Sequence, residues 1–187
     1  MILLFSGGYD STILALHSIQ DIDMLLHIQY DHPSKEEELH AVQMIYNDIK
    51  THIKQKLKLH IVKLPICAEN MHIGTGKKGA RYVPNRNAIF LCIASNIAHS
   101  NNYSNIMFGA SKLDQNDYFD CTPIFIKGLS ELLRIQIHAP LLHSNLQYIP
   151  DYIDEKIYNK ILSKSWSCYE PENNKPCGTC NSCTQKR

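Results

Sequence analysis

Ile2-Leu3-Leu4-Phe5-Ser6-Gly7-Gly8-Tyr9-Asp10-Ser11-Thr12 is the stretch that decides the fold. An apolar run of four residues is cut by Ser6 and two glycines, and residues 12–19 (TILALHSI) then carry helical spacing. Asp10-Ser11 stands where a cap for that helix belongs. A buried strand, a glycine loop and a helix in that order place the loop at the strand's carboxyl end, where open parallel sheets bind ligands. Two glycines let the backbone approach an anion closely, and the N–H groups of the helix start point into the same space. Ser6, Ser11 and Thr12 add hydroxyls, and Asp10 can orient the loop or a metal ion. A lone Gly-Gly is equally a plain turn. The stretch has no G-x-G-x-x-G fingerprint, and Gly74-Thr75-Gly76-Lys77-Lys78-Gly79 lacks the Lys-Ser/Thr ending of a Walker P-loop.

Outward from this loop, strand and helix signals alternate. Residues 24–30 (MLLHIQY) read as a second strand. Residues 36–57 read as a helix with one buried stripe at Leu39, Val42, Ile45, Ile49 and Ile53. Residues 60–66 read as a third strand and 67–85 as a long loop, a length that usually signals function. Residues 87–99 (NAIFLCIASNIAH) are apolar nearly all round, which predicts a central buried helix; 105–110 is a fourth strand. A polar loop runs through Cys121, and Thr122-Pro123 opens a helix to about Arg134 as cap and first-turn proline. Residues 137–141 form a short extended piece and 150–163 a last helix. This β-α-β-α-β order predicts an α/β fold with an open, doubly wound parallel sheet.

The chain has 187 residues, 44% hydrophobic and 20% charged, enough for one domain with a real core. Disordered, collagen-like and disulfide-knotted classes are excluded. A net charge of +1 gives no overall field for nucleic acid, and no direct nucleic-acid partner is expected. The ten histidines are scattered, and most read as surface or half-buried residues. No stretch reaches the roughly 20 apolar residues of a membrane span, and the N-terminal apolar run has no basic flank of a signal peptide. A cytoplasmic location is expected.

Three of seven cysteines, Cys67, Cys92 and Cys121, are isolated, whereas Cys168, Cys177, Cys180 and Cys183 crowd the C-terminus. Four thiolates with two x2 turns suit a tetrahedral metal shell. Iron–sulfur clusters use similar ligands, and structural zinc is the expected occupant. The domain expectation is therefore 1–163 for the sheet domain and 164–187 for a zinc-binding tail packed on it.

Ser-Gly-Gly-x-Asp-Ser after an N-terminal strand resembles the pyrophosphate loop of the PP-loop ATP pyrophosphatases. With the cysteine set, the chain as a whole resembles the QueC family of 7-cyano-7-deazaguanine synthases. Val83-Pro84-Asn85-Arg86-Asn87 stands where that family carries Val-Pro-x-Arg-Asn. Asp114, Tyr118, Asp120 and Cys121 follow its Asp…Tyr-x-Asp-Cys pattern, Pro140-Leu141 its Pro-Leu, and Ser167-Cys168-Tyr169 its Ser/Thr-Cys-Tyr. The resemblance implies an adenine nucleotide α-hydrolase-like fold and an ATP-dependent reaction: 7-carboxy-7-deazaguanine and ammonia give the nitrile, with AMP and pyrophosphate released and Mg2+ on the phosphates. It implies that Phe5, Ser6, Gly7, Gly8, Tyr9, Asp10, Ser11 and Thr12 hold ATP. Tyr30, Arg86, Asn87, Asp114, Tyr118 and Asp120 would hold the substrate, with Asp10, Arg86 and Asp120 as the catalytic set. Cys121 reads as an ordinary buried thiol.

The chain departs from the pattern at three places. Thr122 follows Asp-Cys where the family has Arg, Leu146-Gln147-Tyr148 replaces a Lys-x-Glu/Asp pair, and Asp31-His32-Pro33-Ser34-Lys35-Glu36 replaces Arg-His-x-x-Glu. His32 with Glu36 or Glu37 would keep part of the last. Two alternatives stay open beside the nitrile-forming enzyme. One is an adenylating relative that stops at the amide or attaches the deazaguanine to another acceptor, a protein among them, as in defence-associated or DNA-modifying relatives. The other is a non-catalytic nucleotide-binding zinc adaptor. Apolar residues between Tyr148 and Ile161 suit either a homodimer face or docking on the sheet.

Overall fold

The computed structural model describes residues 1–54, 56–67, 83, 85–116 and 118–184. Parallel strands buried on both faces need continuous apolar runs, and β1 (Ile2–Leu4) and β2 (Met24–Asp31) supply them. With β3 (Lys58–Cys67), β4 (Asn105–Met107) and β5 (Gln136–His138) they form a five-stranded sheet in the order β3-β2-β1-β4-β5. All four pairings are parallel; Ile2 lies opposite both Met24 and Ile106. The order reverses between β1 and β4, the switch point at which such sheets bind ligands.

Period-two alternation along β1 splits the core into two layers. Leu3 and Phe5 pack under α1 (Tyr9–His17), α2 (Lys35–His52) and α5 (Glu155–Leu162). Ile2 packs on the other face, under α3 (Arg86–Ser100) and α4 (Pro123–Leu133). The doubly wound parallel sheet expected from the sequence is the fold observed. Thr122 caps α4 as expected, accepting the Phe125 N–H at 3.4 Å beside Pro123 at the helix start.

Several local expectations change. The first helix starts at Tyr9, and Asp10-Ser11 lies inside its first turn instead of capping it. The helix expected to reach residue 57 ends at His52. On α3 the fully buried residues are Leu91, Ala94, Ser95 and Ala98, whereas Cys92 is exposed. It packs by one stripe, and its remaining apolar residues are only half-buried. Residues 137–141 divide into β5 and a 3-10 turn at Pro140–Leu142. Asp154 caps α5, which begins five residues after the expected start at 150. Its buried residues, Tyr158 and Ile161, join the core together with Ile153 just before the helix. Most of the long loop expected at 67–85 lies outside the described residues. No helix among the described residues is long and apolar enough to cross a membrane.

Candidate active site

At the carboxyl end of β1 the chain turns through Ser6-Gly7-Gly8 into α1. Gly8 is the helix N-cap and has no side-chain capping bond of its own. The hydroxyls of Ser11 and Thr12 donate to its carbonyl at 3.1 and 2.8 Å, while Ser6 Oγ accepts the Gly8 N–H at 3.3 Å. Gly7 has φ +75, and a Cβ there would lie 3.0 Å from both Cγ2 and the backbone N of Val42 and 3.2 Å from the Glu38 carbonyl. That glycine serves the close approach of α2 to the loop. At the switch point, a Cβ on Gly109 would meet Ser11 N at 3.4 Å. The chain leaving β4 therefore packs against the first turn of α1.

A cavity of about 260 Å³ opens over this junction. Of the residues expected in the site, Phe5, Ser6, Gly8, Tyr9, Asp10, Ser11, Tyr30, Arg86, Asn87, Asp114, Tyr118 and Asp120 line it. Gly7 and Thr12 do not: the first is turned to α2, and the Thr12 side chain is fully buried. Asp120 is buried, and its carboxylate accepts the Asn87 N–H at 3.0 Å, so it steadies the uncapped start of α3. The Asn87 amide in turn donates to Cys121 Sγ at 3.2 Å. Burial, with Asp114 and Asp120 nearby, pushes the Cys121 thiol up to about 12, so it is a protonated, inert thiol. Asp114 is tied to Ser111 by two short bonds, 2.8 Å to its N–H and 2.7 Å to its hydroxyl.

Facing them is a second cluster. Arg86 donates to the Tyr30 hydroxyl at 3.0 Å. Burial works against the guanidinium charge, and Tyr30, Tyr169 and Glu38 more than offset it. The Tyr30 ring lies on that of His32, 4.4 Å between centroids. His32 Nε2 stands 3.5 Å from Glu38 Oε2, and Ser34 Oγ donates to Glu38 Oε1 at 3.2 Å. The acid of this cluster is Glu38 rather than the expected Glu36 or Glu37. Its sequence signal was spacing: Glu38 lies four residues before Val42, on the buried stripe of α2. His27 was missed as well. It is buried in β2 rather than at the surface, and its Nδ1 lies 3.0 Å from the Phe5 carbonyl. A carbonyl only accepts, so Nδ1 carries the hydrogen. Nε2 is then a bare acceptor with no partner among the described residues.

These groups make stability pH-dependent in opposing ways. Burial raises Glu38 from its ordinary 4.5 to about 7. The folded protein therefore holds that proton more tightly, and the stability it lends is complete below about 4.5 and lost as pH rises through about 7. Burial, with Arg86 and His27 nearby, lowers His32 from 6.5 to about 4; burial also lowers His27. The His32 contribution is present above 6.5 and lost as pH falls through about 4, and that of His27 falls away in the same direction. The two slopes oppose each other. Glu38→Gln removes one, so urea midpoints of the variant should rise more steeply than wild type between pH 4.5 and 6.5. An unchanged slope would mean that Glu38 does not titrate in this window.

The C-terminal segment returns to the loop. Trp166 N–H donates to the Gly7 carbonyl at 2.9 Å, and Ser167 Oγ accepts the Tyr9 N–H at 3.3 Å. Trp166, Ser167 and Tyr169 line the cavity, although they were not among the expected ligand-binding residues. Just beyond, the Sγ atoms of Cys168, Cys177, Cys180 and Cys183 all lie within 4.8 Å of one another, and these cysteines are free of disulfides. The N–H groups of Cys177 and Cys180 donate to Cys168 and Cys177 Sγ, each at 3.3 Å. Four convergent sulfurs supported by backbone donors could hold a metal ion.

Compared with known proteins, the sequence matches the family described as "Queuosine biosynthesis protein QueC" over residues 1–187. The chain belongs to the QueC family. Among its relatives, the 7-cyano-7-deazaguanine synthase of Campylobacter jejuni subsp. jejuni serotype O:6 is 30% identical over 201 residues, spanning 96% of this chain and 88% of that one. The synthase of that name from Aliarcobacter butzleri is 32% identical over 203 residues, spanning 97% and 86%. Among solved structures, a predicted subunit of tRNA methyltransferase from Methanocaldococcus jannaschii superposes with a TM-score of 0.48 and 18% identity, covering 87% of this chain and 73% of that one. Against the QueC pattern, Thr122 spends its hydroxyl on the Phe119 carbonyl, 2.7 Å away, and on the start of α4.

Proposed function

We propose that this QueC-family chain is an ATP-dependent 7-cyano-7-deazaguanine synthase. The observation that carries the reading is the convergence, at the β1/β4 switch point, of the glycine loop, Arg86 and Asp120 on one cavity. A carboxylate is a poor electrophile. One carboxylate oxygen of 7-carboxy-7-deazaguanine attacks the α-phosphorus of ATP, the bond to the β-phosphate oxygen breaks, and pyrophosphate leaves. Ammonia then displaces AMP at the acyl carbon and yields the amide. The amide oxygen is adenylated by a second ATP, and loss of AMP together with the amide protons leaves the nitrile.

The protein's contribution is alignment and charge neutralisation. N–H groups in the first turn of α1 beyond Tyr9, with the Ser6 hydroxyl and that of Ser11 once turned from the Gly8 carbonyl, receive phosphate oxygens. Among the described lining residues Arg86 is the only guanidinium or ammonium, and its fork suits the planar carboxylate or the α-phosphate. Asp120 fixes the start of α3 and thereby the Arg86 backbone. Asp10, which lines the cavity, would hold Mg2+, which when bound would neutralise charge on the phosphates.

Zinc is the ion we assign to the cysteines. Metal–sulfur bonds of about 2.3 Å give a tetrahedron with edges of roughly 3.8 Å, and Cys168 and Cys177 Sγ are 3.6 Å apart. Elemental analysis should find about one zinc per chain, and Cys180→Ser should lower metal content and melting temperature together. A metal-free protein of wild-type stability would refute the assignment.

The absence of a lysine among the described cavity residues favours one second reading, an enzyme that stops at the amide or transfers the deazaguanine to another acceptor. The test is to incubate purified protein with ATP and 7-carboxy-7-deazaguanine, with and without ammonium, and to analyse products and protein by mass spectrometry. Nitrile with AMP supports the synthase. Amide alone, or a mass added to a protein, supports the second reading, and no AMP in any arm sinks both.

A further inference from the structure

The start of α1 is capped from far along the chain. Gly8 has no side chain to cap with, and the Tyr9 N–H is instead met by Ser167 Oγ, 158 residues later, at 3.3 Å. Beside it, Trp166 N–H holds the Gly7 carbonyl at 2.9 Å, and the Trp166 carbonyl lies 3.4 Å from where a Gly8 Cβ would stand. The Trp166 indole N–H donates to the Cys168 carbonyl at 3.0 Å, which folds residues 166–168 into one compact unit. Cys168 is buried, belongs to the four-sulfur cluster, and follows Ser167 directly.

We propose that Ser167 is a positioning residue for the glycine loop, and that an ion on the four cysteines fixes it there. The tail is then part of the nucleotide site rather than a remote staple. The physical argument is one of degrees of freedom. A glycine-rich loop has high conformational entropy, and its anion-binding N–H groups are useful only when they are aimed before the ligand arrives. Bonds to residues 166 and 167 hold the Gly7 carbonyl and the Tyr9 N–H and so aim the N–H groups that follow; those two residues have almost no slack once Cys168 ligates the ion. With the ion gone, Cys168 loses its anchor, the two bonds loosen, and the loop samples unproductive conformations. The consequence for nucleotide affinity rests on the function proposed above, while the coupling of tail to loop does not.

Amide hydrogen exchange on the ligand-free, metal-loaded protein separates the two. Ser167→Ala should speed exchange in a peptide covering residues 6–12, with metal content and exchange in β2 unchanged. Ser167→Thr keeps the hydroxyl and should restore protection. Chelation of the wild-type protein should speed exchange in the same peptide. ATP affinity, measured by calorimetry, should fall about three- to tenfold in Ser167→Ala, the loss of one hydrogen bond, and recover in Ser167→Thr. Unchanged exchange in Ser167→Ala, or a Ser167→Thr variant as exposed as the alanine, would overturn the proposal. If exchange responds as stated while wild-type protein binds no ATP, the coupling stands and the enzymatic reading falls.

Discussion

Arg86→Met is expected to lower turnover of 7-carboxy-7-deazaguanine by about 10²–10³, the loss typical of removing one aimed electrostatic donor from a water-poor site. No other guanidinium or ammonium lines the described cavity, so no neighbour takes over the charge. Methionine fills much of the same volume, and Glu38, relieved of its cation, can take up a proton. The variant should therefore fold. Arg86→Lys keeps a positive charge but loses the planar fork and its fixed bond to Tyr30, and should fall between the two. Steady-state rates with thermal melts as control decide the matter. A folded methionine variant within tenfold of wild type would place Arg86 outside the reaction.

Gly7→Ala is expected to destabilise the protein by about 2–5 kcal/mol. A left-handed backbone costs a residue with a Cβ roughly 1–2 kcal/mol, and overpacking typically adds about 1–3 kcal/mol. Here the added carbon would meet backbone as well as side chain, Val42 N at 3.0 Å and the Glu38 carbonyl at 3.2 Å, so no rotamer change relieves it. Against a total stability of about 5–15 kcal/mol that loss is large. Urea unfolding should show a lower midpoint with a similar slope. Val42→Ala in the same chain should recover little of it, because the backbone contacts and the positive φ persist. Full recovery would mean that the Val42 side chain was the whole obstacle.

The sheet was legible because continuous apolar runs and a glycine loop leave few alternatives, and the cysteine cluster because ligand spacing is local. The start of α1 was not, since Tyr9-Asp10 has no apolar stripe and the helix is nucleated by hydroxyl bonds to the Gly8 carbonyl. Apolar spacing also overstated how deeply α3 is buried. Part of its apolar surface is spent on the site, where Phe90 meets the Tyr30 ring with centroids 5.7 Å apart. His27 hid within MLLHIQY, where a lone histidine in an apolar strand was the available signal. The Ser167–Tyr9 bond had no signal at all, because nothing in either local sequence announces a partner 158 residues away.

The strand order also sets a schedule for biosynthesis. β1 lies in the middle of the sheet, yet its two neighbours come from very different distances along the chain: β2 begins at Met24 and β4 at Asn105. During translation β1, β2 and β3 can pair early, but the other edge of β1 keeps its backbone N–H and C=O groups unpaired until β4 leaves the ribosome. For that interval the most apolar strand of the protein is an open edge, the kind of surface on which nascent chains stick to one another. A chain stalled or truncated before β4 would carry that edge permanently, and clearing such fragments falls to chaperones and proteases.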